Sequence, residues 1–331
     1  MYLEVGRPVR GEALERLRAF LNVCGLDYDD NVGFTAMLME DDEILAAGSL
    51  DGNTLKCIAV SPQHQGEGLT AALMTALREE AFARGQRHLM LFTKPFNDAM
   101  FREFGFYPVL RTRDCLLMEN RRRGLADYLA GLQRPENVEG PVGCIVANCN
   151  PFTLGHRYLI ETAAAQCAVL HVFVLSEDRS AFRPEDRLKL VREGCADLAN
   201  VIIHPTGPYL ISSATFPAYF LRDRVRADRA HYELDVRLFA EKFVPALGIT
   251  RRYIGEEPYC PVTRGYNDAL KEHLPGYGVE VIEISRKESG GEAISASRVR
   301  NLLARGELDA IRPLVPETTF EFLRNYPMEA K

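Results

Sequence analysis

Nowhere in the 331-residue chain does an apolar run approach the roughly 18 residues that span a bilayer. A helical membrane span is thereby excluded. The first twenty residues, MYLEVGRPVRGEALERLRAF, alternate charged and apolar side chains. They lack the apolar block and small-residue cleavage site of a secretory signal, so a cytoplasmic location is expected. CxxC spacing is missing as well. The eight cysteines, at 24, 57, 115, 144, 149, 167, 195 and 260, are scattered, and those such as Cys57 and Cys144 lie in apolar strand-like runs. They read as buried thiols rather than as disulfides or metal ligands. The seven histidines are equally dispersed and suggest no zinc site. Nor is there a basic surplus. Net charge is −6, and residues 1–120 hold 12 Lys and Arg against 18 Asp and Glu, leaving 28 of each for the rest. A nucleic-acid binder normally shows the opposite balance, so neither nucleic acid nor membrane is an expected partner.

What the chain does contain is enough length for about two domains, each able to bury its own core. Residues 1–120 read as mixed α/β: a helix near Glu12–Asn22, a hairpin through FTAMLME and EILAAGSL, and a strand TLKCIAV. A glycine loop, an amphipathic helix Leu69–Arg84, a strand HLMLFT, a short helix near Asp98–Glu103 and a last strand pair complete it. Residues 121–140 turn polar, with a triple arginine and a closing RPENVEGP, and read as a linker. Over 141–331 strands and helices alternate, which predicts a doubly wound parallel sheet with ligands at the carboxyl ends of its strands.

One such end carries NCNPFTLGH. Pro151 stops the strand, Thr153 is placed to cap the next helix, Gly155 leaves room for a phosphate, and His156 falls in the first turn. Helix N-terminal amides favour an anion there. About 140 residues on, ISASRVRNLLARGE offers Ser295 as N-cap, with Ser297 and Arg300 three apart on one face and Val299, Leu302 and Leu303 as the buried stripe. Amides, a hydroxyl and a guanidinium thus converge on one anion, an arrangement suited to polyphosphate oxygens.

Thr153-Leu-Gly155-His156 together with Ile294-Ser295-Ala-Ser297-Arg-Val-Arg300 resembles the TxGH and ISxSxxR motifs of the nucleotidyltransferase superfamily, which cleaves ATP between the α and β phosphates. FRPEDRLKL, Phe182 to Leu190, resembles the same superfamily's F-x-x-x-[ED]-R-x-x-L segment. YIGEEP, Tyr253 to Pro258, falls where those enzymes recognise ribose and adenine. The resemblance implies that Thr153, His156, Ser297 and Arg300 act on the triphosphate of Mg²⁺-bound ATP, with Asn150, Phe152, Gly155, Gly255, Glu256 and Ser295 completing the nucleotide site. Displacement at phosphorus needs positioning and charge neutralisation rather than a protein nucleophile.

A second cradle, QHQGEG, lies between TLKCIAV and the helix from Leu69, with glycines where amides would approach a pyrophosphate. It resembles the acetyl-CoA motif of the GNAT acetyltransferases, and LFTKPFNDAMFREFGFYPV resembles their next strand, helix and Gly-Phe turn. Gln63, Gly66 and Gly68 are its expected binding residues. Where that family often carries a tyrosine that protonates the leaving thiolate, this chain has Phe101, and a phenyl ring donates no proton.

The two halves in this order, with YLISSATFP and GEEPYCPVTRGYND, resemble the citrate lyase ligases. Membership implies that ATP and acetate acetylate the thiol of a phosphoribosyl dephospho-CoA arm on the citrate lyase acyl carrier subunit, giving AMP and pyrophosphate. ATP would then sit in the second half and the CoA-like arm at Gln63–Gly68. The rival reading is an adenylyltransferase that leaves AMP on a phosphate acceptor such as phosphopantetheine or a nicotinamide nucleotide.

Overall fold

The computed structural model describes residues 1–176, 180–211, 216–221 and 223–326. Packing divides the chain into two compact units, Met1–Asp127 with Phe216–Leu234, and Tyr128–Thr215 with Asp235–Lys331. A linear reading has no means of assigning Phe216–Leu234 to the first unit, since that depends on contacts such as the Asp27 amide donating to the Tyr219 carbonyl oxygen at 2.8 Å.

The first unit holds β1 (Tyr2–Gly6), α1 (Gly11–Val23), β2 (Phe34–Glu40), β3 (Glu43–Asp51), β4 (Thr54–Val60), α2 (Leu69–Ala83), β5 (Met90–Thr93), α3 (Asp98–Glu103), β6 (Tyr107–Arg111) and β7 (Leu116–Glu119). Its seven strands run in the order β1-β2-β3-β4-β5-β7-β6. Strand β1, which the alternating N-terminus conceals, pairs antiparallel with β2 at the sheet edge. Helix α2 buries Leu69, Leu73, Leu77 and Ala81 on one stripe, as its spacing requires. Strands β4 and β5 are parallel, and their pairing covers only Thr54 with Met90 and Leu55 with Leu91. Beyond that point a cavity of about 710 Å³ opens, lined by the downstream residues of both strands.

The helix α4 (Gly124–Ala130) precedes the parallel sheet. Its strands are β8 (Val142–Ala147), β9 (Val169–Val174), β10 (Val201–Pro205), β11 (Arg251–Gly255) and β12 (Glu280–Ile284). Helices α5 (Leu154–Ala164) and α6 (Pro184–Gly194) connect the first three strands, α7 (Arg224–Leu238) leads into a π-helical turn Phe239–Phe243 and α8 (Val244–Leu247), and α9 (Pro261–His273) lies between β11 and β12. A two-stranded ribbon of β13 (Glu288–Ser289) and β14 (Glu292–Ala293) then leads to α10 (Ala296–Ala304), α11 (Leu308–Ile311) and α12 (Glu317–Arg324). The parallel order β10-β9-β8-β11-β12 reverses direction at β8 and β11, and such a switch point leaves a crevice at the strand ends.

Helix α9 begins at Pro261, because Pro261 suits the first helical turn and the Glu257 carboxylate accepts the Tyr259 and Cys260 amides at 3.1 Å each. Cysteines 57, 115, 144, 149 and 195 are buried as expected, and 24 and 167 are partly buried. Cys260 is the exception, an exposed thiol at the start of α9 whose pKa is lowered first by its hydrogen bonds to Thr263. Among the described residues no helix is long and apolar enough to cross a membrane.

Candidate active site

At the switch point a second cavity, of about 640 Å³, is bounded by the ends of β8, β11 and β12 and by the N-termini of α5 and α10. Thr153 caps α5. Its hydroxyl accepts from the His156 amide at 3.4 Å, while the Thr153 amide donates to His156 Nδ1 at 3.1 Å. This reciprocal pair is a capping box with histidine in place of the usual Glu or Gln. It also fixes the tautomer, because Nδ1 accepts and the remaining N–H must be on Nε2. Burial, then the charge of Arg286, pushes the His156 pKa down to about 4, so the ring is a neutral donor at pH 7.

The ring stacks on Phe152 at 6.0 Å, and Phe152 is fully buried against Gly194, where a Cβ would stand 2.5 Å from its edge. Phe152 therefore supports the loop from behind. Asn150 is also behind the rim: its carbonyl accepts from Arg300 at 2.5 Å and its side-chain oxygen from the Phe182 amide at 3.2 Å. The FRPEDRLKL segment supplies the brace. Fully buried Arg187 donates to the Asn148 carbonyl at 2.9 Å and the Phe182 carbonyl at 3.1 Å, holding the strand-to-helix loop in place.

Ser295 caps α10 by accepting from the Arg298 amide at 3.1 Å, and Arg300 donates to Ser297 Oγ at 3.0 Å. Burial lowers the Arg300 pKa from its usual range. A Cβ on Gly155 would lie 3.0 Å from the Ile294 carbonyl oxygen. The glycine thus lets the two helix N-termini approach each other, a reason for it beyond the phosphate clearance that the loop itself suggests. Thr153, Gly155, His156, Ser295 and Ser297 line one cavity with Gly255 and Glu256, whereas Asn150, Phe152 and Arg300 stand behind its wall.

Sequence reading passed over three cations at this cavity. Arg286 pairs with Glu257 at 2.5 Å and donates to the Glu256 carbonyl at 2.8 Å, tying the loops after β11 and β12 together. Lys287 is exposed, lies 5.7 Å from the Tyr158 ring centre, and makes no ion pair among the described residues. Arg252, inside β11, also lines the cavity. The only available hint was the pair Arg286-Lys287 directly after a strand, at the end where ligands bind.

In the first unit the QHQGEG loop reaches the mouth of the 710 Å³ cavity, with Gly66 and Gly68 at φ +89° and +77°. Gly68 precedes α2, whose first turn no side chain caps. Gln63 accepts from Ser61 Oγ at 2.6 Å and does not line the cavity. Phe101 forms part of its wall, edge-on to Phe106 at 6.5 Å. Tyr219, the tyrosine of this wall, donates its hydroxyl to the Phe92 carbonyl at 3.1 Å, and burial raises its pKa well above the usual value. Residues 212–215 of the YLISSATFP stretch lie outside the described residues.

Fold and sites together define a nucleotide-binding α/β unit joined to an acetyltransferase-type unit, the organisation of an AMP-forming ligase. Residues 142–323 match the model of the citrate lyase ligase C-terminal domain, and residues 8–106 match the GNAT acetyltransferase family. The chain is 43% identical to the citrate (pro-3S)-lyase ligase of Klebsiella pneumoniae over 95% of its own length and 92% of that protein's. The Escherichia coli K12 ligase is 40% identical over 94% and 90%, and that of Haemophilus influenzae 36% over 94% and 95%. The chain belongs to the citrate lyase ligase family.

Proposed function

We propose that the chain activates acetate with Mg²⁺-bound ATP in the cavity of the parallel-sheet unit and passes the acetyl group to the thiol of the citrate lyase acyl carrier's CoA-like arm. The observation that carries this reading is the convergence of two capped helix N-termini, of α5 and α10, on one cavity at the switch point. In the first step an acetate oxygen attacks the α phosphorus, the bond to the β-phosphate oxygen breaks, and pyrophosphate leaves. The amides of α5 and α10, the His156 Nε2–H, Ser297 and Lys287 neutralise the charge that develops on that oxygen. Mg²⁺ would be held chiefly by the triphosphate oxygens and would neutralise part of their charge. In the second step the arm's thiolate attacks the acetyl carbon and AMP departs.

Residues 1–120, joined by Phe216–Leu234, serve as the receptor for the arm, 121–140 as linker and the remainder of 141–331 as the catalytic part, acting in the cytoplasm. The GNAT-type cavity supports a binding role over acetyl transfer of its own. Phe101 has no proton to give, and the Tyr219 hydroxyl proton is committed to a backbone carbonyl. Incubation with ATP, Mg²⁺ and acetate, with and without the holo carrier, tests the scheme. AMP and pyrophosphate are expected with acetylated carrier. ADP with acetyl phosphate, or AMP retained on an acceptor, would overturn it.

A further inference from the structure

Among the described residues, buried Lys and Arg side chains are held by carboxylates or carbonyl oxygens, with one exception. Lys56 bonds Asp29 and Asp51 at 2.7 Å each, and Arg187 holds backbone carbonyls. Arg252 is 2% exposed, yet makes no ion pair among the described residues. Its guanidinium donates to the weak acceptor Cys144 Sγ at 3.5 Å and lies 4.8 Å from the Phe239 ring centre, while its Nε has no hydrogen-bond partner. The Asp235 carboxylate, which accepts from the Tyr266 hydroxyl at 2.5 Å, forms no ion pair with Arg252. A buried charge without a paired counter-ion is costly, and an anionic ligand removes that cost.

Arg252 also lines the ATP cavity, and its height there selects the ligand. It is paired with Cys144 of β8 and Val281 of β12, three residues before Gly255 ends β11. That places its backbone about 10 Å below the carboxyl end of β11. The triphosphate donors stand at the rim, and Val146 and Ile254, which line the cavity on the strands just above Arg252, suit a short alkyl group rather than further phosphates.

We infer that Arg252 is the receptor for the carboxylate of the short acid that is activated, holding one oxygen from beneath while the other is presented to the α-phosphate and the methyl group faces the apolar wall. The inference rests on the reading that this cavity activates acetate with ATP. Binding leaves the attacking step as balanced above: one P–O bond forms, one breaks, and no proton moves.

Acetate-dependent exchange of pyrophosphate into ATP tests it, measured at varied acetate and varied ATP for the parent, Arg252→Lys and Arg252→Gln. Losing a hydrogen bond to a charged group costs roughly 10- to 100-fold in affinity, so the acetate KM of Arg252→Gln is expected to rise by that factor. Its ATP affinity should stay within about threefold of the parent, and Arg252→Lys should fall between. Methylguanidinium added to Arg252→Ala should restore part of the acetate affinity. A Gln variant that binds ATP normally and keeps the parent's acetate KM overturns the inference alone. A parent with no acetate-dependent exchange overturns the reading of the cavity and the inference with it. Should the variants fail to fold, crystals of the parent with acetate and a non-hydrolysable ATP analogue decide: acetate hydrogen-bonded to Arg252 supports the inference, and acetate bound elsewhere in the cavity refutes it.

Discussion

His156 combines two tasks that a single-residue reading separates. Its Nδ1 closes the capping box on Thr153, and its Nε2–H is left as a donor. With a pKa of about 4 it stays neutral across the working range, so the rate of AMP formation between pH 5.5 and 8 should show no step attributable to His156. A step that vanishes in His156→Asn would contradict that. His156→Ala removes the cap and the donor together and should lower the rate by at least ~10²-fold, the size expected for one transition-state donor. Arg300→Ala should match it, since the bonds to Asn150 and Ser297 both go. Near-normal turnover by either folded variant in an AMP-release assay would dismiss the residue's role. Thr153, His156 and Ser295 are legible from sequence because capping is a local matter of side chains reaching amides three residues away, and Ser297 because it stands three positions from Arg300 on the same helix face. Arg252 is not legible: in TRRYIG it reads as one more charge on a strand, and only the sheet order puts it at the cavity floor.

Three glycines carry predictions at the scale of elements. Gly155→Ala would press a methyl to 3.0 Å from the Ile294 carbonyl oxygen, so the N-termini of α5 and α10 must separate. Weaker ATP binding with little change in thermal midpoint is the expected result, checked by calorimetric titration with ATP. At Gly66 and Gly68 the backbone is left-handed and the space beside each is open. Valine there strains the loop by about 1–2 kcal/mol and turns its amides away from a pyrophosphate. Use of the holo carrier should weaken while acetate-dependent exchange of pyrophosphate into ATP survives. Loss of exchange with normal carrier affinity would reverse the roles assigned to the two halves.

For the molecule as a whole, the pH dependence of stability follows from its buried histidines. His171 and His204, on neighbouring strands β9 and β10, share a hydrogen bond of 3.0 Å. Burial pushes both pKa values down, as it does for His156. A lowered histidine pKa means that the unfolded chain binds more protons between about pH 4 and 6.5. Stability contributed by the neutral rings is therefore complete above pH 6.5 and is lost as pH falls toward 4. The urea midpoint should drop over that window, and less steeply in His204→Gln. An equal slope in that variant would assign the acid sensitivity elsewhere.

The sequence by itself determined the two folds, the caps of α5 and α10 and the glycine loop before α2. Each is written in residues a few positions apart, through hydrophobic period, cap chemistry and glycine. Tertiary structure alone decided the rest. The pairing of β11 with β8 turned an in-strand arginine into a cavity floor, and packing assigned Phe216–Leu234 to the first unit. Approach of the Ile294 carbonyl gave Gly155 its second purpose, and burial behind the rim took Phe152 and Asn150 out of the cavity they were expected to line. Contacts between residues a hundred or more positions apart depend on which strands become neighbours and how far each sits from the sheet's end, and no local pattern of side chains encodes that.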